Sequence, residues 1–517
     1  MKTAYINLTI PFKRANAFIV ENGYFTHVGQ KHQILRQDID EIIDMQDQTI
    51  MPAFHDSHMH LLGLGFQRSI FDASIHKSIK SILKAMKDID KPFILGRGFH
   101  EATMAENRSL TKDDLNHVSM TKPVVVYRAC GHVLFANQRA IDLALEKNPS
   151  FKSEHMHEGI FKEEDMDFIK AIFPVPSKEE LSRYILKAQA HLHKHGITSV
   201  GSDDYHIFET LNYKTVREVF KSLVEKDELK LNVLQQANLP KLTDLEDYIK
   251  RGYAHERFGS FEEGPLKLLA DGSLGGHSAY MKAPYADKNT RGIEIFDYEA
   301  LMTRIELARK KKMDFAIHAI GDQTVETLIN IKEALGDDPL KYRDSIIHAQ
   351  LADFDQIKRM AKLNLGAQTQ PIFLNSDIPI IESRLQDRAK ETYLFKSMIS
   401  ENIQTTISTD APIEGVNPFE NIYAAVSRKS IKHPNYRPFL ASEAMTIKEA
   451  LKAYTETPAY FAYKSQKIGQ IKTGFEADFI QVKGFDSRKP NHLLKTSVLK
   501  TYHKGKCVYD RAKGKAA

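Results

Sequence analysis

Between residues 49 and 412, short apolar runs keep returning, and most are followed by a stretch with helical periodicity. The runs are TIMPAF (49–54), TSVGSDD (198–204), LNVLQQAN (231–238), PLKLLADGS (265–273), DFAIHAIGD (314–322), DSIIHAQL (344–351), LGAQTQP (365–371) and IQTTISTDAP (403–412). The clearest helices between them are 182–196 and 298–312. Parallel strands cannot be joined by tight turns. They need crossovers of a dozen or more residues, usually helical. Eight such units predict an α/β fold, a (β/α)8 TIM-like barrel. The first interval is too long for one helix. Residues 66–180 hold PFILGRGF and PVVVYRACGHVLFAN, so a strand-containing insertion is expected after strand 1. Both chain ends read as short strands with Gly turns; AFIVENGYFTHVG is a hairpin pattern around Asn-Gly. The expected domains are therefore 1–52 and 465–517, pairing as a small β-sandwich, around a barrel over 53–464.

Bulk properties exclude several roles. Net charge is +5 over 517 residues, with no long basic block beyond Arg309 to Lys312, so nucleic-acid binding is not expected. No run reaches the roughly 18 apolar residues of a membrane span, and the first residues lack a continuous apolar segment of the secretory kind. A cytoplasmic protein without a membrane partner is the expectation. The two cysteines, Cys130 and Cys507, build neither a disulfide framework nor a Cys-based metal site.

The polar residues within the apolar runs carry the chemistry. FHDSHMH places His55, Asp56, His58 and His60 together, and His58 and His60 share a face of an extended strand. Lys267 and Asp271 belong to the fourth run, His318 to the fifth, His348 to the sixth and Asp410 to the eighth. The C-terminal ends of barrel strands are where such folds gather catalytic groups. Each residue alone has an ordinary explanation: a satisfied core histidine, a snorkelling lysine, a turn aspartate. Together, imidazoles and a carboxylate aimed into one mouth suit a divalent metal such as zinc. A metal lowers the pKa of bound water from 15.7 to roughly 7, and Asp410 is placed to take the proton and return it to a leaving nitrogen. Asp56 is expected to orient a ligating histidine.

MPAFHDSHMH, KLLADGSLGG, AIHAIGD, IIHAQL and STDAP, in that order, resemble the amidohydrolase superfamily, and within it the family 3 branch that includes N-substituted formamide deformylase. The resemblance runs to the closing GQIKTGFEADFIQV. It implies a metal-dependent barrel hydrolysing amide, formamide or cyclic amide C–N bonds. By the same resemblance, His58, His60, Lys267, His318, His348 and Asp410 are the metal-site residues. Lys267 is open to carboxylation between two metals, and Asp410 doubles as proton shuttle. The ion is expected to be Zn2+, one or two, with Mn2+ or Fe2+ as alternatives. The expected partner is a small-molecule substrate, with a homodimer as the assembly to test.

Four residues are substrate-binding candidates: His132 in RACGH, Asp271, His277 and Gln370, the last beside Pro371. Ala53 and His55 replace the family's usual Gly and apolar residue. Gly276-His277 stands where a small residue and an arginine are common, and Phe99 where tryptophan is usual. A neutral imidazole holds a carboxylate less firmly than a guanidinium, so His277 bears on substrate charge. The alternatives are an ester hydrolase or isomerase on the same fold, or a non-catalytic binding protein.

Overall fold

The computed structural model describes residues 1–516 apart from 130 and 209. Cys130 thus lies outside the described residues. The chain divides into two compact units, 1–63 with 188–517, and 64–187.

The larger unit is built on eight parallel strands. We number them β1 (Phe54–Met59), β2 (Ile197–Ser202), β3 (Asn232–Asn238), β4 (Phe261–Leu269), β5 (Phe315–Ala319), β6 (Ser345–His348), β7 (Gly366–Thr369) and β8 (Thr405–Ile407). Neighbours in sequence are neighbours in space from β1 to β8. The ring closes where Asp410 N donates to His58 O at 3.0 Å and His60 N to Ala411 O at 2.8 Å. Helices follow most strands and start on side-chain caps. Asp297 accepts from Ala300 N before Tyr298–Arg309, and Asp353 forms a reciprocal box with Gln356 before Phe354–Lys362. The barrel strands are short and almost wholly buried.

The first strand falls elsewhere than its apolar pattern predicts. Glu41–Pro52 belongs to a separate eight-stranded sheet, parallel to Lys2–Thr9 and antiparallel to Phe479–Lys483. That sheet draws strands from both chain ends and packs Tyr5, Phe18, Phe25, Phe479 and Tyr502 into one aromatic core. The chain then passes Ala53, and the barrel begins at Phe54. FHDSHM is itself β1, with all six residues buried. A hydrophobic-run criterion passes over it because the barrel interior near the mouth is polar.

The smaller unit has a five-stranded sheet, in the order Ile160–Lys162, Val133–Ala136, Val124–Arg128, Ile94–Phe99, Phe71–Asp72. Two apolar clusters pack against it, one around Phe99 and Phe135, the other around Phe161 and Phe168. Among the described residues, no helix is long and apolar enough to cross a membrane.

Candidate metal centre

His58 lies in β1 and His60 just past its end, and the turn after β8 brings Asp410 to both. Asp410 Oδ1 lies 3.3 Å from His58 Nε2 and 3.1 Å from His60 Nε2. One ligand atom from each of the three lies within 4.8 Å of the others. The far ring nitrogens fix which atoms remain free. His58 Nδ1 is 2.7 Å from Gln236 Oε1, and His60 Nδ1 is 3.0 Å from Asp203 O. Both acceptors have only lone pairs to offer, so both rings carry hydrogen on Nδ1. Each ring thus presents Nε2 to the Asp410 carboxylate. Positive charge is favoured there: burial opposes it on His60, but hydrogen bonding to and charge on Asp410 prevail and hold the ring up to about 9. The place between the three groups suits a cation, a proton on Nε2 or a metal ion in its stead. Burial pushes Asp410 up, and His58 and His60 draw it well below the usual carboxylate range.

The turn that carries Asp410 is braced from β1. Asp56 accepts from Thr409 Oγ1 at 2.6 Å, Thr409 N at 3.2 Å and Tyr454 OH at 3.2 Å. Asp56 therefore acts on the Asp410 turn, and the acceptor for His58 is Gln236. Burial raises the Asp56 carboxyl to about 7 against these donors. Asp410 has φ 55° and His348 φ 75°. Left-handed backbone outside glycine costs about 1 kcal/mol or more and is retained where it aims a group.

The other half of the mouth is arranged differently. His348 Nδ1 is 2.7 Å from Gln370 Oε1, leaving Nε2 free. His318 Nε2 is 3.1 Å from both Gly272 O and Asp271 Oδ1, so this ring offers Nδ1. The two rings stand 4.4 Å apart between centroids, and His348 is 6.0 Å from His58. Burial and the neighbouring His318 keep His348 neutral. Lys267 Nζ, fully buried, is 3.2 Å from Asp203 Oδ2, which also accepts from Asn238 Nδ2. Burial pushes the Asp203 carboxyl up, and the charge of Lys267 pulls it below its usual value. Among the described residues, Asp203 Oδ1 and Asn238 Oδ1 are buried without a partner.

The four substrate-binding candidates separate. β4 ends at Leu269, two residues before Asp271, so strand periodicity does not set that side chain's direction. Asp271 is buried and accepts from Tyr280 N, Ile320 N, Gly321 N and Thr324 Oγ1 besides facing His318. Gln370 spends its amide oxygen on His348 and its NH2 on Gln368 O and Ser408 Oγ. His277 lies on the loop after β4 and meets Asp287 and Arg384. His132 is exposed in the smaller unit, its Nδ1 3.2 Å from Glu163 Oε2. The pattern of apolar runs passed over Asp203, Gln236 and Asn238. Their signal was present as SDD and QQAN, polar residues at the ends of β2 and β3.

The amidohydrolase family model matches residues 41–509. The putative amidohydrolase YtcJ of Bacillus subtilis is 29% identical, with 96% of this chain and 97% of that protein aligned. N-substituted formamide deformylase of Arthrobacter pascens is 22% identical over 96% of this chain and 95% of its own. A crystal structure of an uncharacterized metal-dependent hydrolase from Pyrococcus furiosus superimposes with TM-score 0.81 at 28% identity, covering 95% of this chain and all of that one.

Proposed function

This chain belongs to the amidohydrolase family, and from that premise we propose that it is a metal-dependent hydrolase of amide-type C–N bonds: amides, formamides or cyclic amides. The observation that carries the reading is the convergence of His58 Nε2, His60 Nε2 and the Asp410 carboxylate at the barrel mouth. Two imidazoles and a carboxylate suit zinc, with His318 Nδ1 and His348 Nε2 as the donors across the mouth. A divalent ion there supplies Lewis acidity, which activates water and polarises a carbonyl.

The chain's own groups handle the protons and the geometry. Asp410, ionised and buried, accepts the proton as the water oxygen forms its bond to the carbonyl carbon. When the C–N bond breaks, Asp410 returns that proton to the nitrogen, because an amide anion is a poor leaving group. The products are a carboxylic acid and an amine. Gln236, the Asp203 carbonyl and Gln370 hold the rings of His58, His60 and His348 in the tautomers that leave a lone pair inward. Asp271 does the same for His318.

Lys267 Nζ lies 3.2 Å from Asp203 Oδ2, and a carboxyl group on that nitrogen would set a second anion beside Asp203, so the reading we put to the test is a single ion on the His58 side. The test is metal content by plasma mass spectrometry on chelator-free protein, with bicarbonate present, alongside turnover of N-formyl and N-acyl amines. About one ion per chain is expected; about two would overturn the single-ion reading. His58→Ala is expected to abolish metal-dependent turnover with the melting temperature retained. Full activity in that variant would overturn the site assignment.

A further inference from the structure

Asn421 is a polar side chain buried inside a helix. It lies in the early turns of Pro418–Ser427, the helix that follows β8 and starts on the Asn417 cap. Asparagine is a poor helix former, because its amide competes for nearby backbone groups, yet here the residue is fully buried. Both ends of the amide are used. Ile372 N donates to Asn421 Oδ1 at 2.9 Å, and Asn421 Nδ2 donates to Ser408 O at 2.7 Å. A backbone N–H can only donate and a carbonyl can only accept, so a single orientation of the amide makes both bonds. The amide also faces the Tyr454 hydroxyl, which donates to Asp56.

The two backbone groups joined by Asn421 belong to different turns at the mouth. Ile372 comes two residues after Gln370, whose amide oxygen meets His348 Nδ1, and one before Phe373, whose ring stacks on His348 with centroids 5.8 Å apart. Ser408 comes two residues before Asp410. A parallel link lands on the same serine, where Gln370 Nε2 donates to Ser408 Oγ at 2.7 Å. Asp410 and His348 both take left-handed backbone, φ 55° and φ 75°. Residues with a Cβ keep such conformations only where their surroundings over-determine them. Asn421 is the part of those surroundings that grips both turns at once. Without it, Ile372 N and Ser408 O would be buried and unpaired, and the turns would part to satisfy them.

We propose that Asn421 is a positioning residue for the metal centre, setting the Asp410 carboxylate against His348 by tying the turn after β8 to the turn after β7. It acts through Ser408 and Ile372 and not by contact with an ion. The inference rests on the metal-centre reading, and it does not depend on which bond the protein hydrolyses.

The test uses the full chain and zinc. Zinc affinity is read by chelator competition per folded chain, and the unfolding midpoint on metal-free protein. Turnover of N-formyl and N-acyl amines is read at saturating zinc. Asn421→Ala is expected to weaken zinc binding about tenfold or more, and to lower kcat at saturating zinc with KM little changed. Asn417→Ala is the control. It removes the cap of the same helix, and should lower the unfolding midpoint with zinc affinity unchanged. If Asn421→Ala does not fold, Asn421→Ser, with one hydroxyl in place of an amide that has two ends, should show the same loss of affinity. An Asn421→Ala protein that loses stability but keeps its zinc affinity would overturn the inference and leave the metal centre intact. An equal loss of affinity in Asn417→Ala would also overturn it, because the helix as a whole would then be responsible. Asn421-dependent zinc affinity in a protein that cleaves none of the amides would keep the positioning role and count against the C–N reading. A wild-type protein that takes up no zinc would overturn the metal reading, and this inference would fall with it.

Discussion

At the N-terminal end of the barrel, Asp344 is fully buried and accepts from Lys332 Nζ at 2.7 Å, Phe315 N at 2.9 Å and Arg309. At the C-terminal end Asp203 is as deeply buried, yet its Oδ1 meets no donor among the described residues. The contrast extends beyond the pair. At the base, Glu263 is held by Tyr205 OH at 2.6 Å, Tyr248 OH at 3.0 Å and Arg217 Nε at 3.0 Å. At the mouth, Asn238 Oδ1 is also without a partner among the described residues, and His58 Nε2 and His60 Nε2 both face one carboxylate. Burying polar groups is costly at either end. At the base Asp344 and Glu263 meet that cost with partners from their own chain, which fixes shape, although His55 Nδ1 at the start of β1 has no partner among the described residues. The mouth leaves part of it for a ligand to meet.

Asp344→Ala should break the base most severely. It strands Lys332 in the interior and leaves Arg309 with Asp337 as its remaining carboxylate, and loss of one partner of a buried ion pair costs about 3–5 kcal/mol. Denaturant unfolding should show that loss, while the metal bound per folded chain stays unchanged. A variant that keeps its stability but loses its metal would erase the distinction between the two ends. At the mouth, Gln236→Ala should do the reverse. Removing the acceptor that fixes a ligating imidazole weakens metal binding about 10- to 100-fold, read by chelator competition, with little change in the unfolding midpoint. A large stability loss without a change in metal affinity would place Gln236 with the base.

The same contrast governs what the sequence shows. The base and walls are apolar periodicity, so β2 to β8 fall close to the predicted runs, and the helices over 182–196 and 298–312 appear as Lys178–Lys194 and Tyr298–Arg309. The mouth is polar, and there the pattern misleads. The run TIMPAF forms the end of an outer strand, while polar FHDSHM forms β1. Asp271 falls past the end of β4, into the turn that holds His318. His58, His60 and Asp410 were legible because their spacing and order carry chemistry directly. Gln236 and Asp203 were not, because their work depends on which neighbouring strand they face. The pairing of Arg384 with His277 joins residues 107 apart, which no local pattern reveals.

The subtlest difference between the ends is in proton balance, and Glu263 makes it measurable. Burial raises its carboxyl from 4.5 to about 7, with Tyr205, Arg217 and Tyr248 holding it back from rising further. In the unfolded chain the group titrates near 4.5. Between those values the folded protein holds the proton more tightly than the unfolded chain, so the unfolded state binds fewer protons. Stability from this group is therefore complete below about pH 4.5, falls as the pH rises toward 7, and is level above that. The slope is at most about 1.4 kcal/mol per pH unit. Glu263→Gln removes the titration and keeps an oxygen for the Tyr205 hydroxyl. The wild-type unfolding free energy should decline from pH 5 to pH 7 more steeply than the variant's, in metal-free protein and in metal-loaded protein alike. Equal slopes would mean that Arg217 keeps Glu263 ionised throughout, as a permanent ion pair. A slope difference that appears only with metal bound would tie Glu263 to the mouth, and the two ends of the barrel would no longer be separable.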